Sequence, residues 1–213
     1  MQVNDLILYQ VATDRNYKVG DKIHFGDESN GQEFNCLNMS FNKDGEPLHK
    51  LGFDNAKKGI FKNKKLMIDM SKALSNYDFI MREFALEEVR REKFSHLPSR
   101  FRCMFLSEDA DTCLNNLQGF VNRGAGKSFQ AIKVKVDGEA HFVKDYGVDR
   151  LGLSFNEYKK QAEKYWGQDQ NSNSACKEIL FVGDVEVVEI LKEINKDWYF
   201  KLYKIFKKFT YFN

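Results

Sequence analysis

Apolar positions along this chain fall into a few patterns, each of which predicts an element. Short apolar runs predict buried strands at Leu6 to Ala12 (LILYQVA) and along Lys177 to Leu191 (KEILFVGDVEVVEIL). The second run reads as two adjacent strands broken by Gly183-Asp184, with Glu178 at the start of the first. Lys22 to Phe25 is strand-like after the turn signal Gly20-Asp21. Phe101 to Leu106 (FRCMFL) reads as a further strand. Alternation along it sends Arg100 and Arg102 to one face and Phe101, Cys103 and Phe105 to the other. Gln130 to Val136 and Ala140 to Tyr146 flank Asp137-Gly138, which predicts a hairpin.

Helical spacing appears in three places. From Ser71 to Phe94, residues Tyr77, Ile80, Met81 and Phe84 share one face, while Arg82, Glu83, Glu87, Arg90 and Arg91 supply polar partners. Pro98 prevents continuation, because the residue before a proline is pushed out of helical geometry. Ser107 is placed to cap a helix from Glu108 to about Gln118, and a third helix spans Ser154 to Trp166. Gly26 to Pro47 is polar and carries no firm element. Helices and strands do not alternate regularly, so the fold class is α+β on a largely antiparallel sheet. The expected organisation is one domain over residues 1–195 and a tail over 196–213.

Charge alters this picture locally. The formal net charge is +2, so no global field recruits nucleic acid or acidic lipid. Yet residues 57–65 (KKGIFKNKK) carry five lysines and no acid, and residues 196–213 carry five lysines against one aspartate. In that tail Tyr199, Leu202, Tyr203, Phe206 and Phe209 follow helical spacing beside the lysines, giving an aromatic face and a basic one. Such a helix either docks on the domain, binds a partner, or holds RNA phosphates and stacks bases. Neither a secretory signal layout nor an apolar run of membrane-spanning length is visible, so a cytoplasmic protein with no membrane association is expected. Cys36, Cys103, Cys113 and Cys176 are far apart and read as buried thiols rather than a zinc site or disulfide framework.

The candidate chemistry is narrow. Gly124-Ala125-Gly126-Lys127-Ser128 ends like a phosphate-binding loop, but Val121 stands where that loop needs its first glycine. The four histidines lack metal-ligand spacing, so no metal is expected. What remains is Glu178, a carboxylate at the rim of a buried strand. It is either a solvated strand start or a reagent held over a cleft. Glu186 and Glu189, further along, read as exposed side chains.

Taken together, the LYQVA strand and its helix, the PSRFRCMFLSED segment and its helix, and the late strand EILFVGDVEVVEI resemble the ADP-ribosyltransferase superfamily. More specifically they resemble a bacterial family, long labelled only as a domain of unknown function, that groups with those enzymes. Similar domains are the toxins of phage-defence toxin-antitoxin-chaperone modules whose transferase modifies mRNA. The resemblance runs from about Leu6 to Leu191 and is most specific in the last strand pair.

The resemblance implies an ADP-ribosyltransferase-like split antiparallel sheet with flanking helices, and NAD as co-substrate. It implies that Glu178 is the catalytic glutamate, stabilising the positive charge that develops as the nicotinamide–ribose bond breaks. Tyr9, Gln10, Val11 and Ala12 match the segment that binds the NAD ribose and clamps the nicotinamide carboxamide. The family usually carries His or Arg where Gln10 stands; the alternative for Gln10 is a polar residue ending a core strand. Phe105, Leu106 and Ser107 match the place that supports nicotinamide, and Arg100 or Arg102 could meet the pyrophosphate or form a surface salt bridge. RNA is the implied acceptor, with an antitoxin protein as a possible partner. Lys57, Lys58, Lys62, Lys64 and Lys65 would hold RNA, or form a solvated loop. A protein-directed transferase, an NAD glycohydrolase, and a non-catalytic nucleic-acid or partner-binding module stand as alternatives.

Overall fold

Eight elements follow one another along the chain: β1 (Gln2–Thr13), β2 (Lys22–Phe25), α1 (Lys64–Lys93), β3 (Met104–Leu106), α2 (Ala110–Arg123), β4 (Ser128–Val143), α3 (Phe155–Trp166) and β5 (Glu178–Asn195). They belong to a computed structural model that describes residues 1–28, 64–123, 126–144, 153–168 and 178–195. The tail over 196–213, Lys57, Lys58, Lys62, Cys36 and Cys176 lie outside the described residues. The chain divides into two units: Met1–Gly26, Met104–Phe142 and Ala175–Asn213 form the first, and Asp27–Cys103 with Val143–Ser174 the second. The fold is α+β, as the sequence pattern predicts. Among the described residues no helix is long and apolar enough to cross a membrane.

The first unit is a five-stranded sheet in the order β1-β4-β5-β2, with β3 also paired to β5. β1 runs antiparallel to β4, and β2 and β3 run antiparallel to β5. Strand alternation sorts its side chains into two cores. Leu8, Met104, Leu106, Ile132, Val134, Val136, Ile179, Phe181, Val185 and Val187 fill one, all of them buried. Phe129 and Ala131 fill the other with Cys113 and Leu117 of α2, and Tyr9 and Val11 pack against it. Each large apolar side chain buried this way contributes about 1.5–3 kcal/mol.

Both expected strand breaks are absent. β4 runs straight through Asp137-Gly138, and β5 straight through Gly183-Asp184. β1 pairs across the first position, Val3 with Gly138 and Gln2 with Glu139, so a turn there would discard a ladder. The Asp137 carboxylate instead accepts the Asp5 N–H at 2.8 Å, where β1 bulges between Val3 and Leu6. The two glycines serve a close approach of the two long strands. A Cβ on Gly183, whose φ is +137°, would lie 2.4 Å from the Asp137 carbonyl oxygen, and one on Gly138 would lie 2.3 Å from that of Val182. Only glycine permits that backbone approach.

The segment before β3 departs from its expected strand as well. Arg102 and Cys103 both donate their N–H groups to the Ser99 carbonyl, at 3.0 and 2.9 Å, which makes residues 99–103 a turn. The alternation inferred for Arg100 and Arg102 therefore does not exist. Ser107 does not cap α2: the Asp109 carboxylate accepts the Thr112 N–H at 2.7 Å, and the bonds from Thr112 hold its pKa below the usual value. Cys103 and Cys113 are buried free thiols, as expected, and burial with the nearby Asp109 charge pushes Cys113 up to about 11.

In the second unit α1 packs on α3. Ser154 and Glu157 form the reciprocal capping box that starts α3, close to the boundary predicted from sequence. Trp166 donates its ring N–H to the Leu86 carbonyl at 2.8 Å, and Lys159 bonds Glu88 at 2.9 Å. α1 begins at Lys64, seven residues before the predicted start at Ser71, so Lys64 and Lys65 form its first positions rather than a loop. Its buried face is also different. Tyr77 and Met81 are 43% and 38% exposed, whereas Glu83, Ala85, Leu86, Glu87 and Val89 are buried.

The physical reason is an ion pair. Glu83, fully buried, accepts from the Arg100 guanidinium at 2.8 Å, and Arg82 adds a second cation at 3.0 Å. Burial alone would raise the Glu83 pKa; Arg100 and Arg82 outweigh it and hold the carboxyl below its ordinary 4.5. Glu87 is likewise held low against burial by Arg90, Arg91 and Ser99. A pattern that assigns acids to solvent misses this face.

Two outcomes follow for stability. Gly183→Ala should destabilise the protein by about 3 kcal/mol, read from urea unfolding, since it forces a left-handed φ on an alanine and drives its Cβ into a backbone. An unchanged midpoint would contradict the close approach. Glu83→Gln should lower stability at pH 7 by about 3 kcal/mol, because it leaves Arg100 buried without a counter-charge. A carboxyl depressed in the folded state stabilises above its unfolded pKa, and that stabilisation fades as pH falls through the folded one. The variant should therefore lose less stability than wild type between about pH 5 and pH 3; an equal loss in both proteins would show that the pair contributes nothing there.

Candidate functional site

Three sequence-predicted residues meet in one row of the first unit. Tyr9 and Ser107 exchange backbone hydrogen bonds in both directions, Tyr9 N–H to Ser107 O at 3.0 Å and Ser107 N–H to Tyr9 O at 2.7 Å. β3 pairs Leu106 with Ile179 on its other edge, so one further step of the register sets Ser107 opposite Glu178. Directly opposed residues share a face, which places Tyr9, Ser107 and Glu178 side by side across β1, β3 and β5. Neighbouring strands lie about 4.8 Å apart, so the row spans about 10 Å of backbone from Tyr9 to Glu178. Ser107 is 8% exposed, while Tyr9 and Glu178 are half-buried. Phe105 lies on the same face by alternation and is half-buried.

Such a row offers one carboxylate, one aliphatic hydroxyl and one phenol on a continuous backbone frame. A carboxylate can accept hydrogen bonds from sugar hydroxyls and oppose a developing positive charge, and hydroxyls can both donate and accept. Nothing in the row lies on a loop: each residue is held by a ladder or a bridge. Sites built on strands keep tighter geometry than those carried on loops.

Gln10 goes to the other face. It pairs with Ile132 and falls on the side of Leu8, the face of the larger core. Its Oε1 is buried and has no hydrogen-bond partner among the described residues. Val11 packs with Tyr9 toward α2, and Ala12 is buried opposite Gln130. Gln130 is a residue that pattern reading missed. Though 2% exposed, it accepts the Tyr17 N–H at 2.8 Å and donates to the Tyr17 carbonyl at 3.2 Å, tying the segment that follows β1 to β4. Its signal was available: a glutamine inside the apolar run Phe129 to Ile132 must find partners if the strand is buried.

Arg100 belongs to the second unit. Only 7% exposed, it binds Glu83 and the Tyr165 hydroxyl within the second unit and does not reach outward for a phosphate. Glu186 and Glu189 lie on the sheet with Lys135 and Lys133 as their respective neighbours, at 4.0 and 3.6 Å. A cleft of about 560 Å³ nearby is lined by Lys22, His24, Lys135, Asp137, Asp184 and Glu186, and His24 Nδ1 lies 2.7 Å from Asp184. It includes none of Tyr9, Ser107 or Glu178. Its opposite charges pair across strands, an arrangement that solvated sheet surfaces adopt. We therefore take the row, not the cleft, as the candidate site.

The family described as Protein of unknown function (DUF2441) matches residues 8–193. The chain belongs to this family. No curated protein matches it. The family span takes in Tyr9, Gln10, Ser107 and Glu178, and with them most of both cores of the first unit.

An unpaired buried acceptor costs about 1–3 kcal/mol. Replacing Gln10 by the similarly long, apolar Met should therefore raise the thermal midpoint of this family member, measured without ligand. A lower midpoint would show that the Gln10 side chain has bonding partners in the folded protein.

Proposed function

We propose that this chain is an NAD-dependent ADP-ribosyltransferase built on an ADP-ribosyltransferase-like split sheet. It transfers ADP-ribose to RNA, with mRNA favoured, and serves as the cytoplasmic toxin of a phage-defence toxin-antitoxin system. The single observation that carries the chemistry is the row of Tyr9, Ser107 and Glu178, three positions brought together from distant parts of the chain. The sequence resemblance supplies the reaction class, the acceptor and the toxin role.

In this reading the bond between C1′ of the ribose and the nicotinamide nitrogen breaks, and its electron pair leaves with nicotinamide. Glu178 stands beside the sugar, where its negative charge opposes the oxocarbenium character of C1′ and its oxygens accept from a ribose hydroxyl. An acceptor nucleophile then bonds to C1′ and gives up its proton. Ser107 and Tyr9 provide hydroxyls beside that carboxylate. Where water is the nucleophile, the same row gives an NAD glycohydrolase.

One observation favours a second reading. With Gln10 turned to the opposite face, the row lacks the basic residue that the ADP-ribosyltransferases it resembles usually carry at that place. A nucleic-acid or partner-binding module that keeps the fold would tolerate this.

Glu178→Gln should reduce nicotinamide release from NAD by at least about 100-fold while leaving the thermal midpoint close to that of wild type. Labelled NAD offered with separate pools of RNA, DNA and protein identifies the acceptor, and label in the RNA pool is expected. Full activity in the Glu178 variant would remove the glutamate from the chemistry; no nicotinamide release by wild type would favour the binding module.

A further inference from the structure

A phosphate-bearing substrate at the row needs a cation, and Arg100, which the resemblance offered for the pyrophosphate, is engaged by Glu83. The sheet register supplies another. Tyr9 meets Ser107 on one edge of β1 and pairs with Lys133 of β4 on the other. Opposed residues share a face, so Lys133 lengthens the row to four strands in the order Glu178, Ser107, Tyr9, Lys133. The same face assignment follows independently from packing. Phe129 and Ala131 lie with Tyr9 and Val11 against α2, and alternation along β4 carries the next odd position, Lys133, to that side.

Lys133 is also available. Its side chain is 34% exposed, and its ammonium lies 3.6 Å from Glu189, which is 55% exposed. A contact of that length between solvated groups contributes little, and a phosphate oxygen can replace it. Lys135, two residues on, is placed differently. Asp5 holds it at 3.1 Å and, by that bond, raises its pKa, and it lies one step further from Tyr9 along the strand.

We infer that Lys133 receives the diphosphate of the dinucleotide whose ribose end lies at Glu178 and Ser107, with the Tyr9 side chain between them. This rests on the NAD reading above. Three strand spacings of about 4.8 Å put the Lys133 backbone about 14 Å from that of Glu178, and the long lysine side chain can shorten that reach. In NAD one ribose separates the bond that breaks from the diphosphate. The order of groups along the molecule, ribose then diphosphate, follows the order of chemistry along the row, carboxylate and hydroxyls then ammonium.

The test measures binding to the full chain by calorimetry, using ADP-ribose, ADP and adenosine as probes with Lys133→Ala, Lys133→Arg and Lys135→Ala. Lys133→Ala should weaken ADP-ribose and ADP by about 10-fold or more, the loss of one charge-assisted hydrogen bond, and leave adenosine unchanged. Lys133→Arg should retain most of the affinity, and Lys135→Ala should stay near wild type. Unchanged ADP-ribose affinity in Lys133→Ala, or an equal loss in Lys135→Ala, would overturn the assignment of Lys133 while leaving the NAD reading in place. Failure of the wild-type protein to bind either ADP-ribose or ADP would instead overturn the NAD reading, and the role of Lys133 with it.

Discussion

Two long paired strands can bring their backbones unusually close at one point only if neither carries a side chain there, and in this protein Gly138 and Gly183 make that approach together. The consequences spread through the first unit. Because β5 continues past Gly183, its residues before that glycine pair with β3 and those from Gly183 on pair with β2. β3 is then carried to where Ser107 reaches Tyr9, and the path β1-β4-β5-β3 returns to β1. A side chain at either glycine would push β4 and β5 apart and remove the register that aligns Ser107 with Glu178. The candidate site thus depends on a contact between two residues that have no side chains and no chemistry.

That dependence explains what the sequence could and could not disclose. Leu6 to Ala12, Lys22 to Phe25 and the Ser154 start of α3 were legible because local pattern and tertiary structure agree there. Asp137-Gly138 and Gly183-Asp184 misled because the same dipeptides that make turns also permit close approach of two strands. Local chemistry does not distinguish the two; the partner strand does. Glu178 and Ser107 could be singled out one at a time, but their alignment is a matter of register, which rests on the pairing of residues more than 70 positions apart. Gln10 shows the reverse. The resemblance gave its position a role beside Tyr9, yet strand alternation alone separates the two faces.

The second unit failed to show itself for a different reason. Glu83 and Glu87 sit on the buried side of α1 because Arg100, Arg82, Arg90 and Arg91 meet them there. A buried ion pair is stable only with its full set of partners, since either member alone would carry the whole desolvation penalty. Arg100 comes from the turn at residues 99–103, so helix and turn become mutually dependent. Hydrophobic periodicity sees α1 as a helix with the wrong face turned inward, and it does not connect Arg100 to Glu83. Both errors have one cause: charge complementarity over 17 positions is invisible to a window that scores each residue alone.

Under the proposed reading, the same logic of faces reassigns the work around the ribose. The ADP-ribosyltransferase pattern invoked by that reading would put a basic side chain at the position of Gln10, but here β1 presents Tyr9 to the row and turns Gln10 to the opposite face. Whatever holds the sugar against Glu178 must come from the face that Glu178 shares, which offers the Ser107 hydroxyl and the Tyr9 phenol. Both are neutral donors and acceptors, so they can orient the ribose without adding positive charge beside the developing oxocarbenium ion. The positive charge the substrate does require, for its phosphates, is then best held at a distance from C1′, at the end of the row opposite Glu178. A site arranged in this way separates binding of the anion from stabilisation of the cation, and needs no basic residue at position 10 to do either.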